Sequence, residues 1–168
     1  MNRVIGILML DDPTYQAVKR DPVATRQALL LIGLTTLLGA VARFVHPLPW
    51  QLVAPLLAVA GWVLSTWLTV LIGTHLLGAP DGDAEELFRL LGYTAPTGIG
   101  SALRPLPVVG PLIYYPLLVW GPVLEIKATK VGLEIRTGRA IATYLLTETI
   151  GLALFLSVYF LFRSRDWA

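Results

Sequence analysis

The sequence predicts an all-α fold, a polytopic transmembrane helical bundle of five spans with a short amino-terminal interfacial helix. Charged residues make up only 14% of the 168 residues, against about 25% in soluble domains, which leaves too little polar surface for a water-exposed globule. Hydrophobic residues make up 55%, and the mean hydropathy is +0.69. These apolar residues fall in runs long enough to cross a hydrocarbon core of about 30 Å.

The amino-terminal run from Val4 to Leu10 is short, and Asp11, Asp12 and Pro13 follow where a signal peptide would need small residues for cleavage. The run is therefore expected to be retained. Asp12-Pro13 and Asp21-Pro22 each set a capping side chain before a residue favoured at the first helical position, which predicts two helix starts. The first helix carries Tyr15, Ala17 and Val18 beside Lys19 and Arg20. That mixture suits a helix at headgroup level or an ordinary solvated lead-in. Residues 1–27 read as a cytoplasmic and interfacial segment, 28–162 as the membrane domain and 163–168 as a tail.

The first span is expected over Ala28 to Val45, ended by His46-Pro47-Leu48-Pro49, with Trp50 as an interfacial anchor. The second runs over Gln51 to Leu77 and stops at Gly78-Ala79-Pro80. Asp83, with Glu86 three residues later, forms a capping-box-like start for a third, less apolar helix over Ala84 to Leu103. The fourth, Pro107 to Leu124, contains Pro111, Pro116 and Pro122, which should kink or interrupt it. A polar connection from Glu125 to Arg139 leads to the fifth, Ala140 to Phe162, with Thr137 as its cap.

Basic residues set the orientation, because cytoplasmic segments retain Lys and Arg. One side holds Arg3, Lys19, Arg20, Arg26, Lys127, Lys130, Arg136 and Arg139, the other only Arg43, Arg104, Arg163 and Arg165. The amino terminus is expected in the cytoplasm and the protein in the plasma or inner membrane. A four-span alternative, with the third segment re-entrant, would move the connection at Lys127 to Arg139 outside, against the charge bias.

Glu148 is the leading candidate functional residue. It lies about 12 Å along the fifth span from Ala140, near the bilayer middle, where a charge is costly. Tyr144 is one turn back on the same face, and the hydroxyls of Thr147 and Thr149 flank it. Structural polar glue and an ion or proton role weigh equally, and Glu148 is expected to face the bundle interior. Rows of small residues, Ala54, Ala58, Gly61 and Ser65 in the second span and Ala140, Thr143, Thr147 and Gly151 in the fifth, are expected to permit close helix packing.

Several chemistries are excluded. Zero cysteines rule out disulfides and thiol chemistry. The formal net charge of +2 is no nucleic-acid footprint. Gly98-Ile99-Gly100-Ser101 is not a nucleophile elbow. Glu85-Glu86-Leu87-Phe88-Arg89 matches only part of the paired-glutamate motif of intramembrane CAAX-type proteases: its Arg comes one residue early and the histidine motifs are missing. First-turn dipole effects account for those glutamates. His46 and His75 fall at opposite ends of neighbouring spans, and Asp81-Gly82-Asp83 lacks the remaining ligands of a calcium loop. No enzyme activity, metal or cofactor is expected.

Gly92-Tyr93 with Pro96, then Pro107-Val108-Val109-Gly110, then Thr137-Gly138-Arg139-Ala140 follow one another along nearly the whole membrane domain. In this order they resemble the prokaryotic branch of the Yip-one domain family, whose eukaryotic members are named for interaction with Ypt and Rab GTPases. The resemblance implies five spans, a cytoplasmic amino terminus, no enzymatic activity and a role in membrane organisation. The Asp-Leu-Tyr-Gly-Pro type motif of eukaryotic members is not found ahead of the first span. The expected role is thus a non-catalytic scaffold or adaptor in contact with membrane lipids, a protein partner or a second copy of itself. The alternative is a small transporter or channel subunit that uses Glu148 and the Pro-broken helices.

Overall fold

Short polar side chains start the helices, because their oxygens satisfy backbone N–H groups that have no partner inside the helix. Asn2 accepts from the Val4 N–H at 3.2 Å ahead of α1 (Arg3–Leu8), and Asp11 from the Thr14 N–H at 3.0 Å ahead of α2 (Asp12–Arg20). The cap of α2 is therefore Asp11, one residue before the expected Asp12. Asp21 accepts from the Val23 N–H at 2.9 Å as α3 (Val23–Val41) begins. Asp83 accepts from the Glu85 N–H at 2.8 Å ahead of α5 (Ala84–Gly92). The remaining helices are α4 (Leu48–Leu71), widened at its end into a π turn at Ile72–Leu76, α6 (Ile99–Leu103), α7 (Val109–Gly132) and α8 (Thr137–Arg163).

This computed structural model describes residues 2–41, 48–80 and 82–163, and every element among them is helical. Arg43, His46, Pro47, Asp81 and Arg165 lie outside the described residues. Three stretches are long and apolar enough to cross a membrane: Val59–Leu76, Val109–Gly132 and Thr137–Ser157. A fourth is added if Asp12–Arg20 and Val23–Gly39, bent by 107° between them, form one broken span.

The third expected helix is broken. α5 ends at Gly92, a 3-10 turn follows at Ala95–Gly98, and α6 completes the segment. Pro96 explains the break, since it has no N–H to donate to Gly92 and its ring clashes with a carbonyl four residues back. α7, in contrast, continues through Pro116 and Pro122 and runs on to Gly132, eight residues past the expected end at Leu124.

The broken segment forms the centre of the fold. It is buried without interruption from Leu87 to Ala95, and α5 packs on α2, α3, α4 and α7. Close contacts fix its direction. Gly92 meets Ala28, Gly98 meets Thr35 and Gly39 meets Ser101, so it runs parallel to α3. Gly132 meets Leu87, Gly121 meets Thr97 and Gly110 meets Leu103, so it runs antiparallel to α7 along that helix's length. Arg139 with Gly78, Thr143 with Gly73 and Thr147 with Thr69 show that α8 is antiparallel to α4.

The small-residue rows hold in part: Ala140, Thr143 and Thr147 are buried, with Thr143 beside Gly73 and Thr147 beside Thr69 of α4, whereas the two glycines of the rows make no close approach. A methyl group on Gly61 or Gly151 would meet no atom within 4 Å, because both glycines face open space. Tight packing falls instead at Gly73, Gly92 and Gly132, where a methyl group would come within 2.4, 2.5 and 2.8 Å of a neighbouring side chain.

Candidate functional site

Helical periodicity brings polar residues of three helices to one cleft. On α7, Glu125 and Thr129 stand one turn apart; on α8, Tyr144, Thr147 and Glu148 do; and on α4, Gly61, Trp62, Ser65 and Thr69 share a face. With Leu91 of α5 they line a cleft of about 320 Å³. Thr69 Oγ1 spans the α4–α8 contact, bonding the Ser65 carbonyl at 2.8 Å and lying 3.3 Å from Thr147 Oγ1.

Two carboxyl groups enter this cleft without a cation. Glu125 is half-buried, whereas Glu148 lines the cleft but is exposed, so it is not enclosed in the bundle interior as expected. Among the described residues every ion pair involves other groups. Both carboxyls line the same cleft, so ionising one disfavours ionising the other. Thr129 is 2% exposed, and its hydroxyl has no hydrogen-bond partner among the described residues. Chemically, the arrangement can receive a cation from outside.

Sequence reasoning found Glu148 and Tyr144 but missed Glu125, which it assigned to the polar connection. The available signal was the four-residue spacing of Glu125 and Thr129, which places both on one helix face once α7 continues past Pro122.

The other expected residues do not converge on the cleft. Gly92 lies against Ala28. The Tyr93 hydroxyl donates to Gln27 and lines a second cleft of about 380 Å³ with Arg3, between α1 and α3. Pro96 sets the 3-10 turn, and Thr137 opens α8. A methyl group on Gly138 would meet no atom of another element within 4 Å. Arg139 Nη1 donates to the Gly78 carbonyl at 3.3 Å, tying the start of α8 to the end of α4.

A charged network holds α1 and α2 against one end of the bundle. Lys19 Nζ lies 2.6 Å from Glu134 and 3.5 Å from Glu86, and Lys127 pairs with Asp12. Arg3 pairs with Asp21 at 2.6 Å. Hydrogen bonds to these cations hold the carboxyls of Glu134, Asp12 and Asp21 below their ordinary values, and the Asp21 bond pushes the Arg3 guanidinium up. Burial pushes the Tyr15 phenol up; its hydroxyl donates to the Ile7 carbonyl at 3.3 Å. Glu85 pairs with Arg89 at 3.2 Å, so these glutamates serve ion pairs at the α5 start. His75 Nδ1 is 2.9 Å from Thr74 Oγ1. Among the described residues no group of three or more His, Cys, Asp or Glu side chains is placed to hold a metal. Compared with known proteins, the chain matches no family model, no curated protein and no solved structure.

Proposed function

We propose that the chain is a non-catalytic integral protein of the cell membrane, of the Yip-one type, which organises or scaffolds the membrane through contacts with lipids, a protein partner or a second copy of itself. In this reading it crosses five times, with its amino terminus cytoplasmic and α1 and α2 at headgroup level. One observation carries the count. The central broken segment lies antiparallel along α7 from Gly132 to Gly110, and α3 runs parallel to it. If α7 crosses the bilayer, a segment that accompanies it end to end crosses beside it. The large exposed apolar side chains of α4, α7 and α8, such as Leu64, Trp67, Leu112, Val119, Leu145 and Leu152, are what lipid would cover. The basic residues Arg3, Lys19, Lys127 and Arg139 gather at the end where α2, α5 and the α7–α8 connection meet, which favours a cytoplasmic end there.

The chain has no cysteine, so single cysteines report its sidedness directly. Gln16→Cys, Pro80→Cys and Arg136→Cys should react with a membrane-impermeant maleimide from the cytoplasmic side, and Leu106→Cys only from the other. Labelling of Leu106→Cys from the cytoplasmic side would remove the third crossing. Reproducible turnover of a substrate by the pure protein would remove the non-catalytic role.

A second reading, a small transporter or channel subunit, is favoured by the cleft that sets Glu125 and Glu148 within apolar helices. It requires cation flux in liposomes that Glu148→Gln abolishes.

A further inference from the structure

We propose that the cleft between α4, α7 and α8 binds an organic ammonium ion, with the Glu125 and Glu148 carboxylates as counter-charges and Trp62 and Tyr144 as its aromatic walls. The proposal rests on the reading of this chain as a membrane protein that acts by binding, and it names the ligand.

The charge argument comes first. Two carboxylates line one cleft within apolar helices, and among the described residues neither has a cationic partner. Glu125 is seven residues from the end of α7 at Gly132 and Glu148 eleven from the start of α8 at Thr137. At about 1.5 Å per residue they sit roughly 10 and 16 Å from the polar end. An unpaired carboxylate is costly at that depth, and an entering cation removes the cost.

The second argument is independent of charge. Thr129 is 2% exposed, lines the same cleft, and presents a hydroxyl with no partner among the described residues. No fully buried side-chain oxygen among the described residues lacks a partner, so this hydroxyl is one that opens onto the cleft. An ammonium N–H can donate to this hydroxyl, and the nearby Ser65 and Thr147 oxygens can accept the others.

Size and lining select the class of cation. At about 320 Å³ the cleft has room for several non-hydrogen atoms, well beyond a bare ion. A divalent metal would need more strong ligands than two carboxylates, and among the described residues no group of three is placed for one. Carboxylates with Trp and Tyr side chains are the combination that recognises ammonium groups, through ion pairing and through attraction of the cation to a ring face. A free amine and the headgroup of an aminophospholipid both offer this chemistry.

The test uses the full chain in nanodiscs of phosphatidylglycerol, which carries no ammonium group. Putrescine is titrated and read by tryptophan fluorescence and thermal shift; a parallel set of nanodiscs contains phosphatidylethanolamine. The expected result is a saturable response to putrescine, to phosphatidylethanolamine, or to both, which identifies the source. It should weaken at least tenfold in Glu125→Gln and Glu148→Gln, and several-fold in Thr129→Val. No saturable response, an equal response to sodium ions at equal concentration, or an unchanged response in both glutamine variants overturns the proposal. If a glutamine variant does not fold, a diazirine-bearing amine decides the matter on the unaltered chain: cross-links confined to α4, α7 and α8 sustain the site, and cross-links elsewhere overturn it. Failure here leaves the cysteine-labelling pattern unchanged, whereas a misplaced Leu106→Cys label would sink the five-crossing reading without affecting amine binding.

Discussion

Gly92 on α5 stands so close to Ala28 on α3 that a methyl group on Gly92 would lie 2.5 Å from Ala28 Cβ and 3.1 Å from its Cα. The neighbour includes backbone, so it cannot swing aside as a flexible side chain would. Gly92→Ala should therefore cost about 1–3 kcal/mol through overpacking, and Gly92→Leu more. Gly61→Ala and Gly151→Ala meet no atom within 4 Å and should be neutral, or gain up to about 1 kcal/mol from helix propensity. Thermal unfolding in detergent, followed by circular dichroism, checks the contrast. Equal losses at all three positions would refute it.

Arg89 is 6% exposed and joins three elements. Nη1 donates to the Lys19 carbonyl at 2.5 Å, Nε to Thr25 Oγ1 at 3.0 Å, and Nη2 lies 3.2 Å from Glu85. A lysine keeps the charge but lacks the planar fork, so Arg89→Lys should cost about 1.5–3 kcal/mol. Glu85 is more than half exposed, and Glu85→Gln should cost at most about 1 kcal/mol. The comparison is read from unfolding midpoints, and a larger loss for Glu85→Gln would contradict it.

Val108 turns the chain between α6 and α7 with φ at 68°. A β-branched side chain is strained in this left-handed region, whereas glycine adopts it freely. Val108 is also exposed, so little packing is lost on removing it. Val108→Gly should raise stability by about 1 kcal/mol, and Val108→Ile should give none of this gain. A lower unfolding midpoint for the glycine variant would show that the turn is not strained.

The helices were legible because apolar runs and short polar caps are local signals. Asp83 as the cap of α5 is readable within four residues, whereas Thr137, expected as a cap, is already the first residue of α8. The end of α7 was not. Glu125, Lys127 and Lys130 look like a connection, yet on a continuous helix Glu125 turns to the cleft while Lys127 reaches Asp12 and approaches the Tyr15 ring. That assignment depends on a partner more than a hundred residues away. The pairing of Glu125 with Glu148 was hidden for the same reason, since it requires knowing that α4, α7 and α8 share a face. The small-residue rows were legible only in part: Thr143 and Thr147 do meet α4, whereas Gly61 and Gly151 report that close approach is allowed and not that a neighbour arrives.

The docking of α1 and α2 should depend on pH in a definite direction. Hydrogen bonds to Lys127 and Arg3 lower the carboxyls of Asp12 and Asp21 from 3.8, and a bond to Lys19 lowers Glu134 from 4.5. A carboxyl lowered in the folded state binds fewer protons there than in the undocked chain, so it stabilises docking above its ordinary value. That contribution disappears as pH falls through the lowered folded values. Docking should therefore be constant from about pH 7 to 5 and loosen below about pH 4. These carboxyls are at the surface, so added salt should weaken the same contacts. Hydrogen exchange over residues 3–20, corrected for the intrinsic rate, measures the loosening. In the double variant Asp12→Asn with Glu134→Gln, most of the pH dependence should vanish, with exchange raised already at pH 6. Loosening between pH 7 and 5, or an unchanged profile in the double variant, would show that these ion pairs do not hold the amino-terminal helices.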